Sequence, residues 1–497
     1  MKKLPFDNNK YLKIQRKAIL ERIAKFGDKL YLEFGGKLFD DYHASRVLPG
    51  FESDSKLQML LGIKDKVEMV VVVNANDIIS NKVRNDTLIT YQEEVEKIID
   101  NYREHGLYVS SVVISFYEEN NTTLRKFISK LTKNGLAVYK HYKINGYPHD
   151  IPLIVSKDGL GRNEYIKTTR PLIVVTAPGP GSGKMATCLS QLYHNHRNGI
   201  NAGYAKYETF PVWNLSVNHP VNLAYEAATV DLNDMNMIDP YHLESYGVTA
   251  TNYNRDIEAF PLLKKIFEEI YGGSPYKSPT DMGVNMVGFA FSDEEAVKDA
   301  ANREIVRRYY QAKKNVYLDR FNENSLAKMD SLLQKAGLTV STRKCVAPCL
   351  KVAERTKEPS VALELPNGKI ITGHRSDLFG ACAAALLNTL KTFAKIDDKM
   401  FLLMPSVIEP MQELKTNFLH RSNARLRAEE VLLALSIQAK TNPLADLALK
   451  QLPKLKGCEA HSSTILSEVD LQTLSRLGIR VTEEPISYKK KLYTKNA

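Results

Sequence analysis

Arg170 to Thr187 reads R-P-L-I-V-V-T-A-P-G-P-G-S-G-K-M-A-T. An apolar run, Leu172 to Val175, meets a loop holding Gly179, Gly181 and Gly183; Lys184 follows, and a helical pattern opens at Met185. A strand feeding a glycine-rich loop and then a helix is the layout of a phosphate cradle. Glycines let backbone N–H groups approach an anion closely, the helix N-terminus adds partial positive charge, and the lysine adds a full one. Gly179, Gly181, Ser182, Gly183, Lys184 and Thr187 are thus the expected contacts of a phosphorylated ligand, ATP first among them. The motif does not say what is done with that ligand.

The match to G-x-x-x-x-G-K-[ST] is incomplete. Counting back from Gly183, Pro178 holds the first glycine position and Gly179 comes one place late. Met185 stands where a magnesium-binding hydroxyl would follow the lysine, and Thr187 is the nearest replacement. The blander reading is a tight strand-to-helix turn with a solvated lysine.

Around this stretch, strand and helix patterns alternate. Expected strands are Leu30–Phe34, Val67–Asn74, Tyr108–Phe116, Leu136–Lys143, Leu172–Thr176 and Ala202–Tyr207. Expected helices are Tyr11–Phe26, Tyr91–His105, Thr122–Asn134 (closed by Gly135) and Lys184–Arg197. This order predicts an α/β fold with a parallel sheet and helices on both faces, with ligands beyond the carboxyl ends of the strands. From about residue 234 to 337 helical patterns dominate, around a long Gly/Pro-containing loop at Gly272–Gly288. The last third returns to α/β: helix Cys345–Arg355, strand Ser360–Leu365, a Pro366-Asn367-Gly368 turn, strand Lys369–Thr372 and helix Ser376–Ala394. That order is similar to the core of the cytidine-deaminase fold. The deaminase zinc motifs are absent, since His374 is followed by Arg375 and Ser376. The expected division is 1–233 for phosphate or nucleotide binding, 234–337 mainly helical, and 338–497 α/β.

Bulk properties fit this picture. The 497 residues suffice for roughly three domains. Hydrophobic residues at 43% and charged residues at 25% are ordinary for a globular chain, so a sizeable core needs no disulfide staples. The net charge of +11 is spread along the chain, densest in the tail at Lys489, Lys490, Lys491 and Lys495. No stretch joins basic residues to stacking aromatics in an RNA-binding pattern, so nucleic acid is not the expected partner. Five scattered cysteines point to a reducing compartment. The N-terminus carries no apolar signal segment, and no window approaches a membrane span. A soluble cytoplasmic protein, forming a homo-oligomer, is the expectation.

Other constellations compete for the chemistry. Asp40, Asp41, His43 and Arg46 lie within seven residues after Gly35-Gly36. Two carboxylates, an imidazole and a guanidinium suit acid–base work or phosphate handling, with Asp41, His43 and Arg46 as the catalytic candidates; a polar connecting loop is the plain alternative. Glu208, at the end of the strand after the loop helix, and Asp231 are candidates to hold Mg2+, with Asp234 beside them. Cys345, Cys349, His374, Cys458 and His461 are scattered zinc-type residues with no C-x-x-C pair. Ser462 or Ser463 is an expected cap of the next helix.

Four segments carry a resemblance: LYLEFGGKLFDDYHASRVLPGF (Leu30 to Phe51), VVTAPGPGSGKMATCLSQLYH (Val174 to His194), NHPVNLAYEAATVDLNDMNMIDP (Asn218 to Pro240) and SPYKSPTDMGVNMVGF (Ser274 to Phe289). The chain resembles the bacterial family catalogued as domain of unknown function 1846. The resemblance covers essentially its whole length and implies a cytoplasmic protein of α/β and helical parts, with no established reaction. Where that family is expected to read G-K-T-S-D, this chain has Gly373-His374-Arg375-Ser376-Asp377, which puts a role for a lysine there in doubt. The leading expectation is ATP-dependent transfer or ligation. The runner-up is an enzyme on a phosphorylated metabolite without NTP hydrolysis, and the third reading is a non-catalytic nucleotide sensor or scaffold.

Overall fold

The β-branched run Val67–Asn74 is buried at every position but its last, as a central strand of a parallel sheet must be. In the computed structural model, which describes residues 4–27, 29–36, 38–39, 41–84 and 89–487, six strands form this sheet. They are β1 (Lys29–Phe34), β2 (Val67–Asn74), β3 (Tyr108–Ser115), β4 (Ala137–Lys140), β5 (Leu172–Thr176) and β6 (Ala202–Tyr207). The order is β4-β3-β2-β5-β1-β6, parallel throughout. Asp40 and the tail lysines 489, 490, 491 and 495 lie outside the described residues.

Strand order sets the position of the site. After β2 the chain moves outward to β3 and β4; after β5 it moves the other way, to β6. Because β2 and β5 are neighbours, with Val71 in register with Thr176, their carboxyl ends flank a topological switch point, where open α/β sheets hold ligands.

Successive strand residues face opposite sides. Tyr31, Ile173, Val175 and Tyr204 form one core with Leu189 and Leu192 of the Lys184–Arg197 helix and Phe260, Leu263 and Phe267 of the Asn254–Tyr271 helix. On the opposite face the Asn8–Lys25 helix places Tyr11 in hydroxyl contact with Tyr207 and in ring contact with Phe51. Helix starts follow local chemistry. Thr90 and Glu93 form a capping box for Tyr91–Glu104, and Asn121 accepts from the amides of Thr123 and Leu124 to start Thr122–Lys133.

The chain forms two compact units, Met1–Glu226 with Asn233–Ala301, and Ala227–Leu232 with Asn302–Ala497. The segment 234–337, read from sequence as a middle part, is thus shared between them. Near its start lies a short antiparallel pair, β7 (Asn236–Ile238) and β8 (Thr251–Tyr253).

In the second unit the sheet order is β10 (Ile370–His374), β9 (Ser360–Glu364), β11 (Glu459–Ser462), β12 (Arg480–Glu483). Only β11 and β12 are parallel. Val361, Leu363, Leu386, Leu390 and Leu435 lie in its core. The expected helix Ser376–Ala394 starts instead at Ala381, because the Ser376 hydroxyl accepts from the amides of Leu378 and Phe379 and holds the preceding turn. Arg343, almost fully enclosed, pairs with Glu459 at 2.5 Å and donates to Thr482 Oγ1 and to the Ala460 and Arg480 carbonyls. Among the described residues no helix is long and apolar enough to cross a membrane.

Candidate functional site

The loop between β5 and the Lys184–Arg197 helix is held by its carbonyl groups. Arg84 donates to the Pro178 carbonyl, Ser182 Oγ to Gly179 O at 2.6 Å, Asn74 Nδ2 to Gly181 O at 3.1 Å, and Ser115 Oγ to Ser182 O at 2.7 Å. Asn74 and Ser115 end β2 and β3, so the two strands next to β5 on that side anchor the loop. Tyr91 packs against Gly179, where a Cβ would lie 2.6 Å from its hydroxyl. With the carbonyls turned toward these donors, the amides of Gly181 to Met185 meet no acceptor among the described residues. Gly181 (φ 70°) and Gly183 (φ 87°) are left-handed, and Gly183 is the helix N-cap.

Lys184 Nζ lies 4.0 Å from Glu33 Oε1 at the end of β1, and Glu33 Oε2 accepts from the Tyr204 hydroxyl at 2.7 Å. Lys206 shares the Tyr204 side of β6. Its ammonium reaches Asp256 at 2.7 Å, Glu208 at 3.3 Å and the Tyr253 hydroxyl, while Tyr253 donates to Glu208 at 2.5 Å. Gly35 leaves room for this: a Cβ there would lie 2.6 Å from Glu208 Cγ. Glu33 stands in register with Lys206 on the neighbouring strand and acts electrostatically on Lys206 and Glu208, so Lys184 and Glu208 border one charged cluster at the carboxyl ends of β1 and β6. A cavity of about 50 Å³ opens on it, walled by Lys206, Glu208, Asn252, Asp256, Thr280 and Asn285. The segment reaching Asn285 runs beside β6, with the Val284 amide on the Lys206 carbonyl at 2.8 Å.

Burial acts to deprotonate Lys206, but Glu208, Asp256 and Glu33 outweigh it and hold the ammonium above the ordinary lysine value. Lys206 is a fixed cation, not a neutral amine nucleophile. Burial raises the Glu208 carboxyl above 4.5, opposed by Lys206, so Glu208 is the group of this network set to exchange a proton. The raised value fixes a pH dependence. Such a group favours folding fully below its unfolded value, and the contribution is lost as pH rises through the folded one. Glu208→Gln is therefore expected to gain stability relative to wild type between about pH 4 and about pH 8, read by urea unfolding at both ends. A difference that does not change with pH contradicts this.

The acidic-basic cluster lies in and beside a short helix. Asp41 caps the Tyr42–Val47 helix, accepting from the Ala44 amide at 3.1 Å, and pairs with buried Lys56 at 2.8 Å. Burial acts to raise the Asp41 carboxyl, but Lys56 outweighs it and holds it below its usual value. Lys56 sits 6.0 Å from the Tyr207 ring, which stacks on Phe34 at 4.5 Å. Phe34 and Glu33 are successive residues on opposite faces of β1, so this pair lies across the sheet from Lys184 and Glu33. His43 packs edge-on to Phe210 at 5.3 Å, and Arg46 is half-buried in the same short helix. Thr187 is almost fully enclosed, and its hydroxyl has no partner among the described residues.

Asp231 is exposed in a turn of the second unit, and Asp234 is buried against Arg255 at 2.6 Å. All five cysteines are buried and free. His461 faces Thr482 and Glu484, at 2.8 and 3.4 Å, whereas Cys458 Sγ contacts the Lys454 carbonyl. Ser463 accepts from the Ser360 amide, and the cap of the Glu468–Arg476 helix is Ser467 rather than Ser462 or Ser463. Among the described residues no group of three or more His, Cys, Asp or Glu side chains is arranged to hold a metal ion.

Reading the sequence alone missed Glu33, Lys206, Tyr253 and Asp256. Glu33 is a lone charge in an apolar strand ahead of two glycines, and Lys206 and Glu208 have the two-residue spacing of one strand face; both were readable signals. Asp256 and Tyr253 had none.

Residues 4–337 match the family model for the N-terminal domain of unknown function DUF1846, and residues 341–493 match the model for its C-terminal domain. The chain is similar to UPF0371 proteins of Streptococcus pyogenes serotype M5 (strain Manfredo) and serotype M18 (strain MGAS8232), each 53% identical over 495 residues and 100% of both chains. It is 54% identical over 493 residues to the UPF0371 protein of Streptococcus equi subsp. zooepidemicus (strain H70), covering 99% of this chain and 98% of that one. These names state no activity.

Proposed function

The chain belongs to the DUF1846 family, and for it we propose an enzyme that binds a phosphorylated metabolite at the Ala177–Lys184 loop and acts on it without NTP hydrolysis. The observation that carries this reading is the polarity of the loop. Its carbonyls are bound inward by Arg84, Asn74, Ser115 and Ser182. Five successive amides and Lys184 are left for an anion at the switch point. Glu208, held by Tyr253 and beside Lys206, is the proposed proton carrier, and the small cavity beside it, walled by both charged and apolar side chains, takes the part of the substrate that reacts. Asp41, His43 and Arg46 then support the fold on the other face rather than the chemistry.

Two features weigh against triphosphate hydrolysis. The Met185 thioether is a poor ligand for a hard cation, and the Thr187 hydroxyl is enclosed. ATP-dependent transfer or ligation stands as the second reading because of Glu33. This carboxylate ends the strand beside β5, 4.0 Å from Lys184, where a Mg2+-holding group would serve a nucleotide.

Calorimetry with ATP, pyrophosphate and glucose 6-phosphate tests the site. Lys184→Ala is expected to weaken the tightest of them at least tenfold, about 1.4 kcal/mol, with little change in melting temperature. Unchanged affinity for all three removes the loop from the site. Steady-state magnesium-dependent ATP hydrolysis that disappears in Glu33→Gln selects the second reading.

A further inference from the structure

We propose that the first unit holds a second ligand site, for a small singly charged carboxylate carrying a ring, in the cavity between the Asn8–Lys25 helix and the segment 280–286. The cavity measures about 310 Å³ and is walled by Arg22, Lys25, Trp213, His242, Asp281 and Asn285, among others. That volume lies at the small end of ligand pockets, about 300–1,000 Å³, and suits one ring with a short acid group.

Arg22 is the reason to expect an anion. Its guanidinium donates one hydrogen bond, from Nη2 to the Gly283 carbonyl at 3.0 Å. Its Nη1 is enclosed and meets no acceptor among the described residues. Among the described residues no carboxylate pairs with it. Asp281 acts on it only at longer range, because Asp281 Oδ2 already accepts from the Tyr246 hydroxyl at 2.9 Å and the Lys277 amide at 2.8 Å. Its Oδ1 faces His242 at 3.9 Å. A largely enclosed guanidinium whose carboxylate neighbour acts only at longer range is costly, and an anion in the cavity that Arg22 lines brings a countering charge closer.

Trp213 is the reason to expect a ring. Its indole N–H is fixed on the Asn285 carbonyl at 2.9 Å, and its ring lies against His242 and Phe289 at 6.1 and 5.9 Å. This leaves a preset aromatic wall beside Val284 and Met286. The charges on the walls, Arg22 and Lys25 against Glu21 and Asp281, balance formally. That balance favours a monoanion over a phosphate dianion. The site is separate from the phosphate loop, but it shares Trp213, Thr280 and Gly283–Asn285 with the cavity beside Glu208, so an occupant here touches the wall of the proposed reaction site.

Trp213 is the sole tryptophan of the chain, which makes its fluorescence a local probe. Titration of the full chain with benzoate, 4-hydroxybenzoate and indole-3-acetate, the last followed by calorimetry, is expected to give saturable binding for at least one acid. Benzamide, the neutral analogue, is expected to give none. Arg22→Met should weaken the acid at least tenfold, whereas Lys184→Ala should leave it unchanged, so the outcome is independent of the phosphate loop. Should Arg22→Met not fold, Lys25→Glu at an exposed position reports instead, with a loss of about fivefold or more. The proposal is overturned by no saturable binding of any of the three acids, by benzamide binding as well as benzoate, or by wild-type affinity in the folded variant.

Discussion

Lys206→Met is expected to lose about 3–5 kcal/mol of unfolding free energy at neutral pH, the typical consequence of removing one partner from a buried ion pair. The side chain is 12% exposed, and its ammonium lies between Asp256 at 2.7 Å and Glu208 at 3.3 Å. Methionine matches much of the aliphatic stem, so what disappears is mainly the charge. Two nearby carboxylates then remain together, one already raised by burial. The pH dependence follows in sign. Lys206 is held above 10.5, so its stabilisation is fully present below its unfolded value and is lost only as pH rises through the folded one. From neutral pH to about pH 9 the deficit of the variant should therefore be level. Toward acid it should shrink, because Glu208 and Asp256 can then take up protons. Urea unfolding at about pH 5, 7 and 9 reads the level and the acid regimes. A deficit below about 1 kcal/mol at neutral pH, the range of an exposed pair, would show that the network is hydrated and not the enclosed proton-holding group inferred here.

That network also marks where the sequence stopped being informative. Val67–Asn74, Leu172–Thr176, Lys184–Arg197 and Ala202–Tyr207 were legible to the residue, because a strand buried on both faces reads as a near-continuous apolar run and Gly183 marks the helix start. The three-residue strands β7 and β8 gave no period to detect, and residues 234–337 read only as mainly helical. The glycine-rich loop was legible because its groups are adjacent in the chain. Glu33 and Tyr204 are 171 positions apart and meet only because β1 is inserted between β5 and β6, an order that no local pattern reveals. Asp41, His43 and Arg46 drew attention for the opposite reason. Their closeness in sequence is that of a helix start, where an aspartate is favoured as the N-cap and a buried lysine from the next helix completes the pair.

Gly183→Ala is expected to weaken pyrophosphate or ATP binding about a hundredfold, roughly 2.7 kcal/mol, and to lower stability by about 1–3 kcal/mol, whereas Gly181→Ala should do markedly less. Both glycines are left-handed, at 87° and 70°, so an alanine at either carries backbone strain. They differ in surroundings. Nothing lies within 4 Å of a Cβ at Gly181, but a Cβ at Gly183 meets Ser115 Cβ at 3.0 Å and Ser115 Oγ at 3.1 Å. Ser115 is the residue whose hydroxyl binds the Ser182 carbonyl. Pushing it away releases that carbonyl and lets the peptide between Ser182 and Gly183 rotate, so the Gly183 amide leaves the convergent set. Strain alone acts on the folded state, and its effect on binding should be small. Loss of amide convergence acts on affinity. Measuring both variants by calorimetry and by urea unfolding separates the two. Equal affinity losses in Gly181→Ala and Gly183→Ala would mean that the loop binds through its general electropositive character. A loss confined to Gly183→Ala ties recognition to the amides that Ser115 holds in place.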